Sequence, residues 1–150
     1  EKLSYLGLTL PTAAAPVAAY VPAVKSGNLI FTAGQLPVVN GKLIKEGKVG
    51  SDVSAEDAKK LAQICALNAL AAISLVGDLD QIERVVRVGG FVNCAPGFTA
   101  IPGVVNGASE FLIQVFGDIK GKHARTAVGV AELPLNAPIE IEIIVKLNYS

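Results

Sequence analysis

Apolar and polar positions change rhythm several times along this chain, and each change marks an element. The clearest alternation lies near the C-terminal end. Ile139, Ile141, Ile143, Val145 and Leu147 fall on one parity, with Glu140, Glu142 and Lys146 on the other. A period of two belongs to a strand with one buried face, here over residues 139–147. Residues 126–133 form a preceding strand, joined to it by a short proline-bounded turn. Residues 83–92, with Val86 and Val88 set among Arg84 and Arg87, predict another. Residues 21–24 and 29–32 flank Lys25-Ser26-Gly27-Asn28, the composition of a hairpin turn. Asn40-Gly41 marks a further tight turn, and residues 42–49 read as a short polar strand suited to a sheet edge.

Between residues 54 and 77 the period becomes helical. Leu61, Cys65, Asn68, Ala72 and Leu75 share a face, widened by Ile64, Leu67 and Ala71. Ser54 can cap this helix, Glu56 and Asp57 suit the positive end of its dipole, and Gly77 closes it. Its many alanines let a sheet approach closely. Residues 93–103 form a Pro/Gly loop, and 104–116 a second helix carrying Phe111, Leu112, Val115 and Phe116. Residues 11–22, rich in Ala and Pro, read as an irregular lead-in. The order β-β-β-α-β-α-β-β predicts one α+β domain over residues 1–150, with both helices on one face of a mixed sheet. The other face then needs cover, and a homo-oligomer supplies it.

Composition sharpens that picture. Hydrophobic residues make up 51% of the chain and charged residues 17%, which excludes disorder. Thirteen basic and thirteen acidic residues cancel, so nothing favours nucleic acid electrostatically. Cys65 and Cys94 stand alone, and the chain has one histidine, so neither a metal site nor a bound cofactor is expected. No apolar run reaches the roughly 18 residues of a membrane span. The cytoplasm is the expected compartment, and a leader removed ahead of Glu1 would leave no trace in this sequence.

Candidate chemistry gathers at His123-Ala124-Arg125 and at Glu140 and Glu142. Arg125 stands among Ala, Thr and Val at a strand start. A guanidinium there suits a carboxylate or phosphate, or it pairs with Glu140 or Glu142 across neighbouring strands. Glu140 and Glu142 point the same way. They line a solvated face or, in a cleft between subunits, become a general base as desolvation raises a pKa. Tyr20 packs or offers its hydroxyl to a ligand. Asn106, just before Gly107, caps a helix or lines a site. His123 is structural, or stands at the rim of a site as a proton shuttle. Cys94 reads as buried rather than reactive.

The run Tyr20-Val21-Pro22-Ala23-Val24-Lys25-Ser26-Gly27-Asn28-Leu29-Ile30-Phe31-Thr32-Ala33-Gly34-Gln35, the pair Val105-Asn106 and the segment 125–142 together resemble the YjgF/RidA family. That family comprises reactive-intermediate (enamine/imine) deaminases, often described as endoribonuclease L-PSP. The resemblance spans most of the chain in the right order. It implies a chorismate-mutase-like fold, a homotrimer and ligand clefts between subunits. It also implies that Arg125 binds a substrate carboxylate, that Tyr20 and Asn106 line the cleft, and that Glu140 positions the attacking water. The sequence departs from the family pattern at Ala33, where Ser is typical, at His123, where Pro is typical, and at Ala127, where Cys is frequent. The loop 93–103 is also longer than usual. The expected function is hydrolytic deamination of small imine or enamine carboxylic acids without a metal. Binding of a small carboxylate without turnover is the alternative, and RNA cleavage fits the neutral charge least.

Overall fold

The computed structural model describes residues 2–13 and 19–149. Its strands are β1 (Ala23–Ser26), β2 (Leu29–Thr32), β3 (Val38–Val39), β4 (Lys42–Leu43), β5 (Ile82–Asn93), β6 (Ala124–Val130) and β7 (Ile139–Leu147). Its α-helices are α1 (Lys2–Tyr5), α2 (Ala55–Ser74) and α3 (Ile101–Lys120). Five strands form one mixed sheet in the order β1-β2-β7-β5-β6. β1 and β2 are a hairpin whose turn uses Gly27 at a left-handed φ of 62°. β7 runs antiparallel to both β2 and β5, whereas β6 runs parallel to β5. A parallel pair needs a long crossover, and α3 provides it.

Both long helices cover one face of this sheet. α2 starts where the Ser54 hydroxyl accepts a hydrogen bond from the Asp57 amide at 3.1 Å, as its sequence predicts. Its Ala58, Ala62, Ala66 and Ala69 are fully buried, and their small side chains let the helix lie over Ile139, Ile141, Ile143 and Val145 of β7. α2 and α3 pack side by side, and Gly107 marks their closest approach. A Cβ there would stand 1.9 Å from the Lys59 carbonyl oxygen.

The element order follows the sequence reading, with three differences. The polar segment after Asn40-Gly41 contributes only the two-residue strand β4, paired with β3 outside the main sheet. Beyond it, Gly47 and Gly50 take φ values of 124° and 104°, and the Lys48 amide turns to the Asp52 carboxylate, which ends any strand. α3 begins three residues earlier than expected, with Pro102 in its first turn. Finally, β6 and β7 are not neighbours, because β5 lies between them. The short helix α1 precedes the lead-in, and residues 14–18 of that lead-in lie outside the described residues.

The face away from the helices is amphipathic. Val24 pairs with Phe31, and both are exposed, at 51% and 41%. Phe31 in turn pairs with Ile144, while Phe91 lies between Glu140 and the exposed Val128. Ion pairs cross the same face, Arg87 to Glu142 at 3.5 Å and Lys146 to Glu83 at 2.8 Å. Among the described residues, no helix is long and apolar enough to cross a membrane, and no cluster of three or more His, Cys, Asp or Glu could hold a metal ion.

Candidate functional site

Arg125 is the second residue of β6, in register with Val88 of β5. Val88 faces the helices, so the arginine points the same way, toward α3 at the sheet edge. There its Nη1 donates to Asn106 Oδ1 at 2.8 Å and to Ser109 Oγ at 3.2 Å. Asn106 and Ser109 are three residues apart on α3 and therefore neighbours on its surface. Asn106 lies inside this helix and not at its start, so it is no cap. Among the described residues no carboxylate lies within ion-pair distance of Arg125, and the cross-strand pair with Glu140 or Glu142 is not formed. β5 separates the strands, and Glu142 is taken by Arg87.

His123 immediately precedes β6. Its Nε2 lies 2.8 Å from Ser109 Oγ and its Nδ1 2.6 Å from the Gly121 carbonyl oxygen. Both ring nitrogens are thus engaged within the chain. Burial lowers the pKa of this imidazole from its ordinary value; the bond to Gly121 opposes that and the Arg125 charge adds to it. That direction favours the neutral ring at pH 7.

Glu140 belongs to the opposite face of the sheet. It pairs in register with Phe91 of β5, while its neighbours Ile139 and Ile141 are buried under the helices. A short antiparallel bridge between Gln35 and Ile141 lays Gly34 directly over the Glu140 carboxylate. A Cβ on Gly34 would stand 2.2 Å from Oε2, so the glycine makes room for the acid. Burial, and then the charge of Glu142, raises the Glu140 pKa. Beside it opens a cleft of about 660 Å³, lined in part by Tyr20, Pro22, Gly34, Gln35 and Asn68. Tyr20 is half exposed there.

The predicted residues therefore fall into two groups. Arg125, Asn106 and His123 form one cluster with Ser109, while Glu140 and Tyr20 belong to another around Gly34. The sheet stands between the clusters, so one chain alone does not bring Arg125 and Glu140 to a common ligand. Sequence reasoning missed Ser109, Gly34 and Arg87. The one available signal for Ser109 was its helical spacing from Asn106.

Comparisons with known proteins agree with this architecture. A family model described as "YjgF/chorismate_mutase-like, putative endoribonuclease" matches residues 1–147. Protein TCP17 of Trypanosoma cruzi is 42% identical over 147 residues, covering 97% of this chain and 92% of its own. The 2-iminobutanoate/2-iminopropanoate deaminase of Escherichia coli (strain K12) is 33% identical over 138 residues, covering 91% of this chain and 94% of its own. Among solved structures, an Agrobacterium tumefaciens protein of unknown function is 44% identical with a TM-score of 0.87, covering 98% of this chain and 91% of its own. A Shewanella oneidensis protein, described as a putative endoribonuclease, is 30% identical with a TM-score of 0.92 and covers 97% of each chain.

Proposed function

The chain belongs to the YjgF/chorismate-mutase-like family, and on that footing we propose that it hydrolyses small imine or enamine carboxylic acids in clefts between copies of itself. Arg125 holds the substrate carboxylate. Glu140, brought opposite it by a neighbouring copy in a homotrimer, orients water toward the C=N carbon and takes its proton. Glu140 returns that proton to the substrate nitrogen, giving the carbinolamine. This loses its hydroxyl proton to the same nitrogen as it collapses to a ketone and ammonia, so one water is consumed for each ammonia released. Imines hydrolyse readily, and positioning carries much of the acceleration. The raised pKa of Glu140 makes it a better base than an ordinary carboxylate. Tyr20 and Asn106 line the cleft, and His123 reaches it through Ser109. No metal or cofactor takes part in this scheme.

One observation carries the reading. Arg125 is held in place by two neutral oxygens and faces no carboxylate among the described residues, which is how a cation is kept for an incoming anion. The relatives named as 2-iminobutanoate/2-iminopropanoate deaminases supply the substrate class. The test is ammonia release from freshly generated 2-iminopropanoate. Wild-type protein is expected to exceed the buffer rate, with kcat/KM about 100-fold lower in Arg125→Ala, as befits loss of a bidentate charged contact. A wild-type rate equal to buffer overturns the proposal.

Ala33 favours a second reading, since a methyl group stands where the resembling deaminases carry a hydroxyl. In that reading the cleft binds a small carboxylate without turning it over, and calorimetry with 2-keto acids would give binding without ammonia release. RNA cleavage has less support. The chain has no net charge, and its one histidine has both ring nitrogens occupied.

A further inference from the structure

The hydrogen bonds behind Arg125 run in one direction, and each step is forced by chemistry. A guanidinium only donates, so Ser109 Oγ accepts from Arg125 Nη1. The Gly121 carbonyl oxygen only accepts, so His123 Nδ1 carries the hydrogen between them. In a neutral imidazole Nε2 then holds a lone pair, and the nearest hydrogen for it is that of the Ser109 hydroxyl, at 2.8 Å between heavy atoms. The chain of donors is Arg125 to Ser109 to His123 to Gly121. Each link leaves the next group one role only. Ser109 is 9% exposed, so water has little access to rearrange the set.

This arrangement also decides which part of the guanidinium is free. Nη1 has two hydrogens, and they go to Asn106 and Ser109. The remaining donors, on Nε and Nη2, lie parallel along one edge and match the two oxygens of a carboxylate. We propose that Ser109 and His123 are a positioning pair that locks Arg125 through Nη1, so that its Nε–Nη2 edge is presented to the ligand carboxylate. His123 acts through Ser109 and touches no substrate. The second half of this statement rests on the reading of Arg125 as the carboxylate holder; the donor chain itself does not.

A single histidine makes the test direct. Nitrogen-15 NMR of the whole protein with labelled histidine, at pH 7, reads the tautomer of His123 without assignment. The expected signal is the Nδ1–H tautomer, the minor form of a free histidine side chain. Pyruvate titration should shift the Arg125 Nε–H resonance in wild-type protein. Ser109→Ala should bind pyruvate about tenfold more weakly, the weight of one hydrogen bond to a charged group, while Ser109→Thr keeps the hydroxyl and restores affinity to within about threefold. A residue that only supported the fold would alter stability without moving the tautomer or separating Ala from Thr. An Nε2–H tautomer, or equal pyruvate affinity in Ser109→Ala, overturns the pair. If wild-type protein binds no pyruvate, the carboxylate reading fails instead, and the tautomer alone decides the donor chain.

Discussion

Burial acts on Glu140 and His123 in opposite senses, because each group resists becoming charged away from water. For Glu140 the folded pKa is raised above its ordinary 4.5. Its contribution to stability is present below that value and is lost as pH rises through the folded pKa. Above its folded pKa the protein carries a charged Glu140 at a cost, so Glu140→Gln should gain in relative stability as pH rises from 4 to 7.5. Urea unfolding at both pH values measures this, and an equal difference at both would count against it. For His123 the folded pKa is lowered from 6.5, so its contribution is present above 6.5 and lost as pH falls through the folded value. The acid-side loss of stability should accordingly be smaller in His123→Asn than in wild-type protein. Arg125 was legible from sequence because a permanent charge in an apolar stretch demands a reason. Ser109 was not, since a helical serine acquires its meaning only when α3 settles beside β6.

Glycines set the fit between elements, and two of them should respond differently to the same added methyl group. At Gly107 the obstacle is the backbone of α2, so Gly107→Ala must push two helices apart. It should destabilise by about 1–3 kcal/mol, visible as a lowered urea midpoint. At Gly34 the obstacle is the end of the Glu140 side chain, which can swing away. Gly34→Ala should keep its unfolding midpoint within about 0.5 kcal/mol of wild type while turnover falls with the displaced carboxylate. Loss of stability at Gly34 equal to that at Gly107 would refute the distinction. The hairpin, both long helices and the alternation of β7 were readable from local signals, namely Gly27-Asn28, the Ser54 cap and the isoleucine period. Strand order was not. Placing β7 beside β2 pairs residues as far apart as Leu29 and Lys146, and no local pattern encodes that choice. The segment after Asn40-Gly41 misled for a related reason, as its polar residues fit an edge strand equally well until Gly47 and Gly50 turn the chain.

At the scale of the molecule the uncovered sheet face governs behaviour. Its Val24, Phe31 and Val128 lie exposed beside ion pairs, a mixture suited to a partner of the same kind. Phe31→Asp places a charge among them and should give a smaller species by sedimentation velocity, whereas an unchanged wild-type monomer would remove the trimer from the proposal. The two clusters on opposite sides of the sheet lead to a stricter test. Arg125→Ala and Glu140→Gln proteins, each strongly impaired alone, should regain about a quarter of wild-type turnover when unfolded together in equal amounts and refolded, because random assembly of the proposed trimer would reunite intact halves in that share of clefts. No recovery would mean that each site is built within one chain.

The separation of Arg125 from Glu140 also fixes how damage spreads. In the proposed trimer every cleft would have two parents. A chain crippled at either residue spoils the cleft on one flank, and a chain crippled at both spoils the clefts on either side of it, leaving its two healthy companions with a single working site between them. In a population of mixed chains, the dominance of a variant is then set by whether its lesions lie on one face of the sheet or on both.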